Sequence, residues 1–188
     1  MYRAVALDAR EGKLLDDPDA IGSRCRELAI EFDWSKKPAA VLLNGRDVSE
    51  EIRRPEITAI THVAADNPWV REELVRRQRA IGAQWPSLVT EGRDQGTIVF
   101  PSASYKFYLN AHAEERARRR IAQLAAKGIS AELNEVLEQI LERDRRDQNR
   151  AVGRLARAQD AIEIDTTDLT LEGTVEAMLR PIRGELEP

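Results

Sequence analysis

Residues 91–97, Glu-Gly-Arg-Asp-Gln-Gly-Thr, combine residue types that could bind a small anionic ligand. They follow 86–90, Pro-Ser-Leu-Val-Thr, whose pattern predicts a short buried strand, and ligands of open α/β sheets bind beyond the carboxyl ends of strands. Arg93 could bind a phosphate through two N–H groups, and Asp94 could accept from an amino group. An ordinary turn with a solvated ion pair explains the same residues equally well.

A second group of charged residues lies at 142–150, Glu-Arg-Asp-Arg-Arg-Asp-Gln-Asn-Arg, which contains no apolar residue. Without an apolar face, this segment should not enter a hydrophobic core. The sequence therefore predicts a mobile lid over 142–153 that closes over an anion and excludes water. The more common explanation of such a run is a solvated helix end with ion pairs between neighbouring turns. Its arginines and aspartates are Arg143, Asp144, Arg145, Arg146, Asp147 and Arg150.

Arg71 is placed about one turn inside the helix that Asn67-Pro68 should open. A cation in this position opposes the helix dipole at a cost of roughly a few tenths of a kcal/mol, which an acceptor on a ligand could offset. Taken alone, Arg71 is more simply explained as an exposed arginine that the helix tolerates. The same explanation serves the basic run of Arg116, Arg118, Arg119 and Arg120.

The elements that must position these residues alternate between helix and strand. Helices are expected over 1–10, 17–28, 113–127 and 171–179, and from residues 55, 68 and 130 onward. Strands are expected over 30–34, 39–43, 86–90, 104–109 and 161–164. The pattern predicts an α/β fold with a parallel sheet over a single domain, 1–188. Asn44-Gly45 predicts a tight hairpin turn, so 29–48 is expected to form a small inserted β subdomain.

Composition limits the partners that the chain could have. The net charge is −4 with 33% charged residues, so no overall basic field favours nucleic acid or a membrane surface. The single cysteine, Cys25, allows no disulfide within the chain, which favours the cytoplasm. His62 and His112 have no carboxylate or cysteine at ligand spacing, so no metal site is predicted from side chains.

Five segments, in this order along the chain, resemble the bacterial cytidylate kinases. Any one of them is a weak signal, but the five together at the spacing of the family are specific. The likeness extends over nearly the whole chain. The segments are Met1-Tyr-Arg-Ala, Asp47-Val-Ser-Glu-Glu-Ile-Arg, Val70-Arg-Glu-Glu-Leu-Val-Arg-Arg-Gln-Arg, Glu91-Gly-Arg-Asp-Gln-Gly-Thr-Ile-Val-Phe-Pro and Glu142-Arg-Asp-Arg-Arg-Asp-Gln-Asn-Arg-Ala.

The resemblance implies a P-loop NTPase fold of the nucleoside monophosphate kinase type, which transfers a phosphoryl group from ATP to CMP or dCMP. It implies Mg²⁺ on the ATP phosphates and a protein that acts as a monomer. Catalysis of this kind depends mainly on positioning and charge stabilisation, for which arginines are suited. UMP as a further substrate, and the choice between ribose and deoxyribose, stay open.

The resemblance also implies a role for individual residues. Arg3 and Arg93 would hold the CMP phosphate; Thr61, Arg71 and Asp94 would read the cytosine edge; Asp147 and Arg150 would meet the sugar and base. Arg143 would close toward the transferring phosphate, with Arg93 beside it as the second catalytic arginine, and Arg119 would serve the ATP side. Because the chain is one residue longer than the family near Ala64, the role given to Thr61 could fall to His62 instead.

One departure from the family is large. No stretch of the sequence matches the phosphate-binding pattern G-x-x-x-x-G-K-[ST], which in the family precedes the segment equivalent to Met1-Tyr-Arg. We therefore expect the chain to lack the first two strands of the sheet, to fold poorly and to be inactive. A start codon placed too far downstream is the simplest explanation. A non-catalytic paralogue that binds CMP is the alternative.

Overall fold

The computed structural model describes residues 1–126 and 128–185, which divide into two units, Met1–Val89 and Thr90–Pro188. The first unit contains four α-helices and a three-stranded antiparallel sheet. Its elements are α1 (Tyr2–Glu11), α2 (Pro18–Glu27), β1 (Ile30–Asp33), β2 (Ala40–Leu43), β3 (Arg46–Asp47), a 3-10 turn (Glu51–Arg53), α3 (Pro55–Ala65) and α4 (Pro68–Gly82). Apart from the strand expected over 86–90, these bounds confirm the predicted helices and strands of this half.

The hairpin between β2 and β3 forms where Asn44-Gly45 predicts it. Asn44 has φ +50° and Gly45 has φ +79°, the left-handed region that this residue pair favours in two-residue turns. The turn sets the antiparallel register, in which Leu42 lies opposite Asp47 and Ile30 opposite Leu43.

One hydrophobic core lies between the helices and the sheet of the first unit. Leu7 of α1, Ile21 of α2, Ile57 of α3 and Leu74 of α4 are all fully buried within it. Cys25 is buried in the same core, and this burial raises the pKa of its thiol to about 11. The thiol therefore stays protonated and packs as a small apolar group.

Asn67 begins α4 and also fastens it to α2. Its side-chain oxygen accepts from the backbone N–H groups of Trp69 and Val70 at 3.0 and 3.1 Å, and its amide nitrogen donates to the Pro18 carbonyl at 2.7 Å. Asn67 is only 4% exposed, so water does not replace these hydrogen bonds readily.

We expect Asn67→Ala to lower the free energy of unfolding by about 2 kcal/mol, at the upper end of the range for a lost N-cap, because the Pro18 carbonyl also loses a donor. Asn67→Asp keeps the cap but not the contact with Pro18 and should lose about half as much. Urea unfolding followed by tryptophan fluorescence measures both. Equal stability of Asn67→Ala and the native protein would contradict this account.

Glu73 and Arg77 of α4 form a second link to α2. Arg77 donates to the Glu73 carboxylate and to the carbonyls of Cys25, Arg26 and Leu28, which are carbonyls at the end of α2 that helical hydrogen bonds leave open. Hydrogen bonds from Arg76 first, and then from Arg77, hold the pKa of the Glu73 carboxyl down, to about 2.

The low pKa of Glu73 predicts a pH dependence of stability. A carboxyl whose pKa is lower in the folded state stabilises the protein above its unfolded pKa, and that contribution is lost as pH falls from about 4.5 to about 2. Because Arg76 is mostly exposed and its pairing is screened, we expect a contribution of about 2 kcal/mol. The difference in unfolding free energy between native protein and Glu73→Gln should shrink toward zero over this range in urea titrations. A constant difference would contradict the prediction.

In its described residues, the second unit contains a parallel pair of strands with three α-helices. Its elements are a π-helical turn (Gln95–Val99), β4 (Phe107–Asn110), α5 (Ala113–Ala125), α6 (Leu133–Asn149), β5 (Ile162–Asp165) and α7 (Leu171–Ile182). β4 and β5 pair in parallel, with Phe107 beside Ile162 and Asn110 beside Asp165. The predicted parallel α/β arrangement is therefore present in this unit. Among the described residues, no helix is both long and apolar enough to cross a membrane.

Two predictions for local structure were wrong. Residues 86–90 form no strand and are exposed, with Val89 at 94%. Within the described ranges β4 pairs only with β5, and a segment without a ladder partner leaves its backbone to water. The helix expected from Ser130 begins at Leu133. The helix expected over 113–127 is present from Ala113 to Ala125, and the predicted end at Lys127 lies outside the described residues.

The prediction for 142–150 also needs correction. The segment was expected to stay outside any core, but α6 continues through it to Asn149, and Asp147 is only 5% exposed. Hydrogen-bonded ion pairs rather than apolar contacts allow a charged residue to be buried here. The predicted mobility of 142–153 stays a prediction.

Candidate functional site

Asp147 lies at the centre of a cluster of arginines in the second unit. Its Oδ2 accepts from Nε of Arg93 at 2.8 Å, and its Oδ1 accepts from Nη2 of Arg150 at 2.8 Å. Nε of Arg143, one helical turn before it, lies 3.7 Å from Oδ2. We call these four residues the arginine cluster. Three guanidinium groups around one carboxylate carry a net charge of +2, which suits a doubly charged anion such as a phosphate monoester.

The burial of the arginine cluster differs among its members. The side chains of Asp147 and Arg150 are each 8% exposed, whereas that of Arg93 is 40% exposed and that of Arg143 is 56% exposed. The Asp147–Arg150 ion pair is thus buried, whereas Arg93 and Arg143 expose part of their guanidinium groups to solvent. A ligand could bind these two groups without displacing the buried pair.

The π-helical turn after Asp94 holds Arg93 in place. The Asp94 carbonyl accepts from the backbone N–H groups of Ile98 and Val99 at 2.8 and 3.2 Å, and Asp94 itself is 4% exposed. Because hydrogen bonds between residues five positions apart are uncommon in helices and recur at functional sites, this turn is a notable local departure from regular structure. It fixes the backbone beside the arginine that reaches Asp147.

In the first unit, Arg71 is buried within the start of α4. Only 3% of it is exposed, its Nη1 donates to the Ala65 carbonyl at 3.0 Å, and its guanidinium carbon lies 5.4 Å from the ring centre of Tyr2. The interpretation of Arg71 as an exposed, tolerated arginine is therefore wrong. Its charge is held by a carbonyl and an aromatic face.

Two other predicted residues lie on helices of the same unit. Nη1 of Arg3 in α1 donates to the Ile52 carbonyl at 3.1 Å and to Oγ1 of Thr58 at 2.9 Å. Thr61 in α3 donates its hydroxyl to the Ile57 carbonyl at 2.7 Å, and the neighbouring His62 is exposed. The Thr61 oxygen keeps lone pairs with which it could accept from a ligand.

Arg119 of α5 binds the loop that follows β5. Its guanidinium donates to Oγ1 of Thr166 and to the carbonyls of Thr166, Thr167 and Leu169, and it pairs with Glu115 on its own helix. The ordinary explanation of a solvated basic run does not hold for this residue. Arg119 orders the loop at the carboxyl end of β5, the edge at which ligands of parallel sheets bind.

The structure brings four predicted residues together, namely Arg93, Arg143, Asp147 and Arg150, from positions up to 57 apart in the chain. Arg3, Thr61 and Arg71 lie in the first unit. Sequence reasoning missed two further groups, Tyr2 under Arg71 and the ion pair between Arg116 and Asp144. Both Arg116 and Asp144 lie in charged runs, but a pairing between two helices, 28 positions apart in the chain, is not visible in the spacing.

A parallel α/β unit with an arginine cluster beside a buried carboxylate is typical of proteins that bind a phosphorylated ligand. Comparison with known proteins gives the family. The model of the family "Cytidylate kinase" matches residues 1–184. The chain belongs to the cytidylate kinase family, and membership implies the P-loop NTPase fold class.

Curated relatives agree with this family. A cytidylate kinase of Geobacter sp. (strain M21) is 44% identical over 187 residues, which are 99% of this chain and 80% of the relative. One from Vibrio cholerae serotype O1 is also 44% identical and shares 99% and 83% of the two chains. One from Enterobacter sp. (strain 638) is 42% identical, with 99% and 82% covered.

Proposed function

We propose that this chain binds CMP or dCMP and takes part in phosphoryl transfer from ATP, which yields ADP and CDP or dCDP. In that step an oxygen of the CMP phosphate attacks the γ-phosphorus of ATP, and the bond from this phosphorus to the β–γ bridging oxygen breaks. The observation that carries the proposal is the arginine cluster around Asp147, which has the charge and the donors that a nucleoside monophosphate needs.

Within the cluster, each residue would act through its position. Arg93 would bind the CMP phosphate, and Arg143, the most exposed of the arginines, would stabilise charge on the transferring phosphoryl group. Asp147 and Arg150 would contact the sugar and base from the buried side. The 142–153 segment would act as a lid that excludes water, since water would otherwise compete as acceptor.

The resemblance to the family also implies roles for residues of the first unit, taken by itself. Arg3 would bind the CMP phosphate, and Thr61 and Arg71 would read the cytosine edge. In the second unit, Asp94 would have the same role toward the cytosine. Arg71 supports this role by its burial, because a buried guanidinium with a fixed orientation discriminates hydrogen-bond acceptors better than a mobile one. The 29–48 sheet would form the substrate-side subdomain.

On the ATP side, Arg119 would contribute through the loop over 166–169 that it orders. Mg²⁺ would arrive bound to the phosphates of ATP, and the described residues contain no group of three or more His, Cys, Asp or Glu side chains placed to hold a metal ion. A glycine-rich loop would bind the triphosphate of ATP, and these 188 residues contain no sequence that matches the pattern of such a loop. Transfer would therefore need that loop, and the protein would act as a cytoplasmic monomer.

Calorimetry with CMP and a coupled assay for ADP test the two halves of the proposal. We expect CMP to bind more tightly than AMP or GMP, and we expect no ADP from the 188-residue chain alone. ADP formation should appear when the chain is extended with a family phosphate-binding segment. CMP binding without ADP formation even in the extended protein would favour the non-catalytic CMP-binding paralogue. Failure to bind CMP would overturn both.

A further inference from the structure

The carboxyl-terminal half of α6 has no apolar side chain that could hold it against the rest of its unit. Its position must therefore depend on polar contacts. One of these joins α6 to α5: Nη2 of Arg116 lies 2.7 Å from Oδ2 of Asp144. The two side chains are 35% and 23% exposed, so solvent screens the pair only in part.

Arg116 is itself fixed to the end of a strand. Its Nε donates at 3.0 Å to the carbonyl of Ala111, the residue that follows β4. Ala111 is 7% exposed, and β4 pairs with β5 along its length. Arg116 therefore links a firmly held point at the carboxyl end of the parallel strands to α6.

Asp144 transmits this link to the arginine cluster. Asp144 and Asp147 are three positions apart on α6, so they are neighbours on one face of the helix. Asp147 is the residue that gathers Arg93 and Arg150. Arg116 thus forms a hydrogen bond with the Ala111 carbonyl and an ion pair with Asp144. Asp144 lies one helical turn before Asp147 on α6.

We infer that Arg116 is a positioning residue of the phosphate site. Through its ion pair with Asp144, Arg116 fixes the position of α6, and Asp147 on α6 in turn orients Arg93. The inference rests on the proposed function for its connection to CMP. Arg116 touches neither the reacting atoms nor the arginine cluster, and it acts only by fixing the helix that carries Asp147.

The test uses Arg116→Ala, Asp144→Ala and the double variant. Each should weaken CMP binding about tenfold, because an ångström-scale shift of a phosphate-binding group costs one to two orders of magnitude. The double variant should be no weaker than either single variant, since all three break the same link. Exchange of the charges, Arg116→Asp with Asp144→Arg, should recover part of the affinity. Arg118→Ala is the matched control on α5, because Arg118 is 60% exposed and, among the described residues, forms ion pairs with Glu114 and Glu115 of its own helix.

Two further readouts separate positioning from a general loss of structure. In the variants, the ratio of the Kd for cytidine to the Kd for CMP should fall, because the phosphate contacts are lost preferentially; a ratio that stays constant would indicate a merely structural role and overturn the inference. The Nε–Hε resonance of Arg93, which reports the hydrogen bond to Asp147, should shift in Arg116→Ala but not in Arg118→Ala.

The resonance experiment needs no ligand, so it also decides the case in which the native chain binds no CMP. A shift of the Arg93 signal in that case would uphold the link and reject the proposed function. An unchanged signal together with native CMP affinity in Arg116→Ala would reject the inference and leave the proposed function intact.

Discussion

Asp147→Ala is expected to lose about 3 kcal/mol of unfolding free energy, because removal of one partner from a buried ion pair costs on this order. The carboxylate is the shared acceptor for Arg93 and Arg150, and the side chain of Arg150 is as deeply buried as that of Asp147. Without it, two guanidinium groups lose their common carboxylate and repel each other. Urea unfolding of the native and variant proteins measures the loss.

The same variant should bind CMP at least about 100-fold more weakly, because Arg93 and Arg150 lose the hydrogen bonds that orient them. Asp147→Asn removes the charge but keeps the shape and one acceptor oxygen. It should lose about half as much unfolding free energy as Asp147→Ala. Glu142→Ala is the control on the same helix, since Glu142 pairs with two arginines that are largely exposed and such pairs contribute about 0–1 kcal/mol. Unchanged stability in Asp147→Ala would contradict the central place given to this carboxylate.

Arg93→Ala should weaken CMP binding about 100-fold while cytidine binding changes little. Two charge-assisted hydrogen bonds to a phosphate contribute about 1.5–3 kcal/mol each, and every 1.4 kcal/mol is about a factor of ten in affinity. The stability cost should be smaller than for Asp147→Ala, because Asp147 keeps its bond to Arg150 and Arg93 is 40% exposed. Calorimetry with CMP and cytidine in parallel gives both affinities.

Conservative and distant variants define what the Arg93 result means. Arg93→Lys keeps the charge but loses the fork of parallel N–H donors, so it should recover only part of the affinity. Arg145→Ala, on the exposed side of α6, should bind CMP as the native protein does. If Arg93→Ala and Arg145→Ala weakened binding equally, the effect would come from overall charge and not from a phosphate contact.

Much of the first unit could be predicted from sequence because its signals are local. Asp17 and Asn67 each stand one residue before a proline, and both begin helices with their side chains as caps. Asn44-Gly45 turns a hairpin. Each signal depends on residues within about four positions, for which backbone conformation and capping decide the structure.

The errors concern segments whose structure depends on distant neighbours. Residues 86–90 have the composition of a strand, but a strand exists only where another strand pairs with it. Arg71 looks like an exposed arginine by its position near a helix start, yet Tyr2 and the Ala65 carbonyl make its burial possible.

By itself, the sequence determined the family, most of the helices, the hairpin and the residue types of the arginine cluster. Only the tertiary structure decided that Asp147 is buried, that it gathers Arg93 from 54 positions away, and that Arg116 reaches Asp144 on the next helix. The physical reason is that helices and turns form from short-range hydrogen bonds and steric limits. Whether a charge is buried depends instead on partners that folding brings from far along the chain, and a charged run looks the same in sequence whether or not those partners meet it.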